Sequence, residues 1–336
     1  MKHVRLGRSG LQVSRLCLGT MMFGARTDEA ESRRIADEAR GAGVNFIDTA
    51  DAYAGGVSEE IVGRIVAPDR SHWVVATKVA NAPAPGPNLG GLSRRWILSA
   101  VEACLRRLAT DSIDILYFHK EDLATPLGES VRAVADLVRQ GKVRYLGLSN
   151  VRAWRIAEIC RLCDEHGIDR PVVSQPYYNA MNRMPEVEQL PACAHFGLGV
   201  VPYSPLARGI LTAKYRPGEA PDPTSRAGTG DKRMLQTEWR PESIEAAQRL
   251  LAHASARGTS VIAFATAWVL ANPIVSSVIA GPRTLEQWRA YLPALELKLG
   301  PEDEAVVDAL VPPGHPSTPG YNDPAYPIEG RPVVRR

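Results

Sequence analysis

The 336-residue chain reads as one α/β domain, a (β/α)8 TIM barrel, on three observations. Eight short apolar runs recur along it, the first seven starting 28, 30, 39, 30, 29 and 27 residues apart. That is close to the pitch of about 30 residues of one strand–helix unit. The runs are apolar throughout instead of alternating, the pattern of strands covered on both faces. Between them, apolar residues return every three to four positions, as in helices packed on a sheet. A barrel of this kind routinely fills such a length as one domain, so 1–336 is taken as a single unit.

The first strand is LCLG at 16–19. A helix over 28–42 follows, with Ala30, Ile35, Ala39 and Ala42 near one face and Gly43 as its stop. VNFID at 44–48 and VVATK at 74–78 are strands two and three, and a helix at 94–108 leads to strand four, IDILYFH at 113–119. Pro126 opens a helix over 126–140 from a first-turn position, before VRYLGLSN at 143–150. A helix at 153–166, VVSQ at 172–175, a helix at 186–196 and GVVPYS at 199–204 continue the alternation.

The eighth run, SSVIAG at 276–281, begins 77 residues after the seventh. That interval holds a loop rich in Pro, Gly and Ser at 216–230 and helices at 241–257 and 261–271. An insertion after strand seven belongs at the C-terminal mouth of a barrel, where loops carry function. The composition of 216–240 implies little buried apolar surface, so this segment is expected to shape the mouth, not to stabilise the barrel. The last 25 residues, 312–336, hold seven prolines and are expected to form an extended tail, anchored by Tyr321 and Tyr326.

Composition removes several classes of function. With 40 Lys+Arg against 37 Asp+Glu the chain has no strong polyanion footprint, so no nucleic-acid partner is expected. Residues 260–282 carry no charge, but Asn272-Pro273 cuts them below the roughly 20 apolar residues of a membrane span. They read as a buried helix, a turn and a buried strand. The N-terminus lacks an unbroken apolar stretch, so no signal peptide is expected and the location is expected to be cytoplasmic. Five cysteines make no disulfide framework, and the Cys160/Cys163 pair sits in helical sequence as packing.

In a barrel the residues at the C-terminal strand ends face the active site. Those ends are Asp48, Lys78 and His119, with Tyr53 five residues after Asp48. A phenol is a sluggish acid at neutral pH, and a neighbouring ammonium lowers its pKa. Asp48 would keep Lys78 charged and in place, and His119 would orient a carbonyl. Such a group protonates the oxygen of a C=O while hydride arrives from elsewhere. The phosphate-loop patterns GxGxxG and GxxxxGK[ST] are absent, as are HExxH and GxSxG. No metal site is expected.

With these residues in hand, the chain resembles the aldo-keto reductase superfamily over nearly its whole length. The resemblance lies in LGRSGLQVSRLCLGTMMFG (6–24), NFIDTADAY (45–53), GKVRYLGLSN (141–150) and VPYSPLARGILTAKY (201–215). The style is that of the long-chain microbial branch, which is related to potassium-channel β subunits. The resemblance implies a bottom plug formed by an N-terminal β-hairpin, here 4–12. It implies NADPH/NADP+ bound in extended form, and hydride transfer to an aldehyde or ketone with Tyr53 as general acid beside Asp48, Lys78 and His119.

Cofactor contacts follow by position. Ser149, Asn150 and Gln175 would hold the nicotinamide carboxamide, with Asp48 below it, and Tyr203 would stack on the ring. Ser204, Leu206, Arg208 and Lys214 match the pyrophosphate loop, and Gly19, Thr20 and Met21 line the ribose floor. Gly281 and Arg283 match the loop that meets a 2′-phosphate, and Gln287 faces adenine. Where many relatives carry Asn, four residues on, this chain has Tyr291, which cannot reproduce the paired donor and acceptor of an amide. The substrate pocket is expected from Met22, Phe23, Tyr53 and His119, with the 120–125 loop, the 216–240 insertion and the tail. The expected partner is a small carbonyl compound, with no membrane partner and homo-oligomerisation left open. The alternative is an NADP(H)-binding regulatory subunit similar to the channel β subunits.

Overall fold

In a computed structural model that describes residues 1–328, eight parallel strands curl into a barrel with helices on the outside. An antiparallel hairpin precedes it, β1 (His3–Arg5) and β2 (Gln12–Ser14), with His3 opposite Ser14. The barrel strands are β3 (Leu16–Gly19), β4 (Phe46–Asp48), β5 (Val74–Val79), β6 (Ile113–Phe118) and β7 (Val143–Ser149). They continue with β8 (Val173–Gln175), β9 (Gly199–Val200) and β10 (Val278–Ala280). Each of β4 to β9 pairs with its predecessor, and β10 pairs with β3. The seam at β9 is closed by the Ser276 N–H donating to Val200 O (2.9 Å) and the Ile279 N–H donating to Pro202 O (3.0 Å).

The helices are α1 (Glu29–Gly41), α2 (Val57–Val66), α3 (Arg94–Leu108), α4 (Leu127–Arg139), α5 (Ala153–Glu165) and α6 (Gln189–Phe196). The insertion supplies α7 (Lys232–Thr237), α8 (Pro241–Ala256) and α9 (Val261–Ala271), and α10 (Leu285–Arg289) and α11 (Pro301–Leu310) follow the last strand. Asp28 caps α1 by accepting from the Glu31 N–H at 2.9 Å, and Ile35, Ala36 and Ala39 bury its inner face. The charge-free stretch resolves into α9 and β10, and among the described residues no helix is long and apolar enough to cross a membrane.

The hairpin plugs the lower end. Leu6 and Val13 are fully buried in one cluster with Val173 and Val201 of the barrel interior. Burial of a side chain such as Leu6 contributes about 1.5–3 kcal/mol, and Leu6→Ala would cost about 2–5 kcal/mol with its cavity. Gly7, at φ 58°, lies so close to Gly197 that a Cβ would stand 2.5 Å from its carbonyl oxygen.

Two expectations change. Residues 216–240 are not merely polar cover: Ala227 and Met234 are buried in the main core, and Arg226 pairs with Asp231 at 2.9 Å. Helix α6 starts at Gln189, later than expected, because Pro185 sits in a 3-10 turn at Met184–Glu186. The tail has no helix or strand from 312 to 328; Arg240 lies 3.8 Å over the Tyr321 ring, and Arg233 pairs with Asp323 at 2.6 Å. Residues 329–336 of the expected tail lie outside the described residues.

Candidate active site

Parallel register brings the strand ends together. Asp48 is level with Ala76 of β5, Lys78 is level with Tyr117 of β6, and His119 follows β6 directly. Tyr53 reaches the same point from a tight turn at Tyr53–Gly56, in which Ala54 (φ 49°) and Gly55 (φ 65°) are left-handed.

Lys78 is fully buried, and its three N–H bonds have three acceptors. They are an Asp48 carboxylate oxygen, the Thr49 carbonyl at 2.9 Å and the Tyr53 hydroxyl at 3.2 Å. The second Asp48 oxygen accepts from Gln175 Nε2 at 2.9 Å. A buried ion pair is costly unless each partner is fully hydrogen-bonded, and here both are. Burial alone would lower the Lys78 pKa, but Asp48 and Tyr53 hold it above its ordinary value. Burial pushes Asp48 up, against the pull of Lys78 and Gln175.

For Tyr53 the outcome reverses the sequence-based expectation. Burial raises its pKa and outweighs the lowering by Lys78, so the free protein carries a neutral phenol. Nearby Asp51 is pushed up to about 7, by burial first and then by the Glu59 carboxylate.

His119 stands edge-on to Tyr53, ring centroids 5.9 Å apart at 82°. Its Nδ1 lies 2.9 Å from the amide nitrogen of Asn81, a residue that sequence reasoning passed over. Burial first, then Lys78 and Lys120, lower its pKa to about 3, so the imidazole is neutral. Asn150, at φ 54°, donates to His119 O (3.1 Å) and Ser149 Oγ (3.0 Å) and accepts from the Tyr203 hydroxyl (2.9 Å). Ser149 Oγ donates to Gln175 O at 3.0 Å, and Tyr203 stacks on Tyr177 at 5.6 Å.

Above this network opens a cavity of about 750 Å³. Gly19, Thr20, Met21, Met22, Asp48, Tyr53 and His119 line its inner end, with Ser149, Asn150, Gln175 and Tyr203. Ser204, Leu206, Arg208, Lys214, Gly281, Arg283, Gln287 and Tyr291 line the remainder. Lys78 lies beneath the wall. Phe23, expected in the pocket, does not line it: its apolar ring is fully buried in the main core, and only its neighbour Met22 faces the mouth. Arg26, Asn81, Arg226, Arg233 and Tyr326 also line the cavity; Arg226 and Arg233 belong to the 216–240 insertion and Tyr326 to the tail, both expected at the mouth, whereas Arg26 and Asn81 were not singled out.

The outer part is cationic. Arg208, left-handed at φ 50°, has Nε 3.3 Å from Thr237 Oγ1 and 3.7 Å from Glu238. Burial and the nearby Arg208 lower the Arg226 pKa, a sign of mutual repulsion. The Arg283 loop is pinned from both sides, its N–H donating to Gln287 Oε1 (2.9 Å) and its carbonyl accepting from Thr27 Oγ1 (3.0 Å). Among the described residues no group of His, Cys, Asp and Glu could hold a metal ion.

The family model described as "Aldo/keto reductase family" matches residues 15–312. An uncharacterized oxidoreductase, YrpG, of Bacillus subtilis is 38% identical over 334 residues, covering 96% of this chain and 99% of its own. A probable voltage-gated potassium channel subunit beta of Oryza sativa is 36% identical, over 93% of this chain and 97% of its own. A versiconal hemiacetal acetate reductase of Aspergillus parasiticus is 33% identical, over 90% and 95%.

Proposed function

The chain belongs to the aldo/keto reductase family, and from that premise we propose an NADPH-dependent reductase of an aldehyde or ketone, reversible toward alcohol oxidation. One observation carries the reading: a buried ammonium whose three acceptors include the hydroxyl of a neutral phenol at the floor of a large cavity. The cavity residues suit a phosphorylated dinucleotide. Arg208, Lys214, Arg226 and Arg283 face one part of the wall, and the Tyr203 ring stands beside Asn150 and Gln175 amides at the other. When bound, the reduced nicotinamide supplies a hydride.

The residues of the chain do the rest. Tyr53 donates its proton to the carbonyl oxygen, and the phenolate left behind is stabilised by Lys78. Asp48 and Gln175 keep that ammonium aimed at the phenol. His119, neutral, offers a second hydrogen-bond donor to the same oxygen. Arg283 pairs with a 2′-phosphate, and no Asp or Glu in 276–285 competes for a ribose hydroxyl.

NADPH oxidation with 4-nitrobenzaldehyde, followed by absorbance, tests the proposal directly. Tight NADPH binding without turnover on a panel of carbonyls would support the second reading, a cofactor-binding regulatory subunit. That reading draws on the named channel subunits among the relatives. Their likeness to this chain does not separate the two, but a complete Tyr53–Lys78–Asp48 group favours turnover.

A further inference from the structure

We propose that Asn81 is a positioning residue that sets the tautomer of His119, so that the imidazole offers an Nε2 proton to the cavity. Val79 is level with Phe118 and its carbonyl accepts from the His119 N–H at 3.0 Å, so regular pairing would set Ala80 beside His119, and the chain must turn to bring Asn81 there. The chain reaches there through Ala80, whose φ of 144° is a backbone that residues with a Cβ rarely adopt. The Gly91 N–H donates to the Ala80 carbonyl at 2.8 Å and holds that conformation. Asn81 Nδ2 then lies 2.9 Å from His119 Nδ1.

With the Asn81 amide nitrogen set against Nδ1, the NH2 donates and Nδ1 is the bare, accepting nitrogen of the ring. A neutral imidazole carries one proton, which leaves it on Nε2. Among the described residues Nε2 has no hydrogen-bond partner, and His119 lines the cavity. The charged or titratable groups that face the ring are Tyr53, Lys78 and Lys120. None of these is a carboxylate that would favour a doubly protonated ring. An acceptor in place of Asn81 would pull the proton to Nδ1 and leave a lone pair facing the carbonyl oxygen, which repels it.

This inference rests on the reductase reading for its consequence in catalysis, but the tautomer is measurable without turnover. Long-range 1H–15N correlation spectra of histidine-labelled protein, with His119 assigned by its loss in His119→Gln, report which nitrogen is protonated. The expected wild-type result is Nε2–H, unchanged between about pH 5.5 and 8. A wild-type Nδ1–H imidazole overturns the proposal outright.

Asn81→Asp replaces the donor by an acceptor. It should move the proton to Nδ1 or charge the ring, bring a His119 titration between about pH 5 and 8, and add a matching limb to kcat/KM. Carbonyl reduction should fall about tenfold or more, with the NADPH Kd within about threefold. An unaltered tautomer and pH profile in this variant would sink the idea. If Asn81→Asp does not fold, Asn81→Leu serves: a mixed tautomer supports the proposal, and a pure Nε2–H ring overturns it. Wild-type Nε2–H that shifts in the Asn81 variant, without carbonyl turnover in wild type, would uphold Asn81 and end the reductase reading. Turnover with Nδ1–H would do the reverse.

Discussion

The inner and outer parts of the cavity are built on opposite principles. At the inner end, Asp48, Lys78 and Gln175 stand on strands, and their charged and amide groups already bond one another. At the outer end, Ser204, Ala207, Arg208 and Ala213 all sit in left-handed backbone on one loop. There Arg208 and Arg226 repel each other, and both oxygens of the buried Glu238 carboxylate lack a hydrogen bond. The Asp48–Lys78–Gln175 network is paired within the protein, whereas at the outer end the guanidinium groups crowd one another. The closely aligned network stands on rigid strands, and the cationic groups, whose fields fall off slowly with distance, stand on loops.

The largest expected effect comes from the inner end. Tyr53→Phe should lower kcat by about 10²-fold or more while leaving the NADPH Kd within about threefold. Steady-state kinetics and fluorescence titration measure the two, and near-normal turnover would remove Tyr53 from the chemistry. At the outer end the pattern should invert. Arg283→Glu should weaken NADPH by about tenfold or more, on the order of 1.4 kcal/mol, and leave NADH nearly unchanged. Equal affinities of the unaltered protein for both cofactors would refute a 2′-phosphate contact at Arg283.

A third prediction concerns pH. In the folded chain His119 stays neutral down to about 3, whereas its ordinary value is 6.5. As pH falls between those limits the unfolded chain takes up a proton that the folded chain refuses, so stability is lost. Asp51 acts in the opposite sense: with its pKa raised to about 7 from 3.8, its protonation adds stability as pH falls through that window. His119 is therefore isolated by comparison, and the Tm drop from pH 7 to 5 should be smaller in His119→Gln than in wild type by a few degrees. Parallel Tm curves would argue against a buried neutral imidazole.

The smallest effect belongs to the rim. Arg233 is one-third exposed, so its pair with Asp323 contributes no more than about 1 kcal/mol. Asp323→Ala should shift Tm by at most about 3 °C, yet change KM for bulky carbonyls, because Tyr326, three residues on, lines the cavity. A large Tm loss with constant KM would make the tail a structural strap.

How far the sequence reaches follows the same division. Asp48, Lys78 and His119 were legible because an apolar run ends on each of them, and parallel strands align such ends. Asn81 was not, since no periodicity dictates the path of a loop, and of the 216–240 insertion only its place at the mouth was legible, not which side chain, such as Arg226, faces inward. Ala80 shows why: its unusual φ is what delivers Asn81. Met22 and Phe23 are adjacent apolar residues in a turn, and only the folded chain tells which one faces outward. The direction of the Tyr53 shift also escaped, because its neighbours can be read from the sequence and its depth of burial cannot. Helix α2 was missed because it follows directly on the Tyr53 turn.

The hairpin that seals the lower end has a consequence for traffic. With Leu6 and Val13 buried across one opening, the barrel is a vessel with one doorway, and whatever enters at the top must leave there. Two ligands sharing such a vessel queue. The one seated nearer the rim holds the deeper one in, and the order of departure is the reverse of the order of arrival.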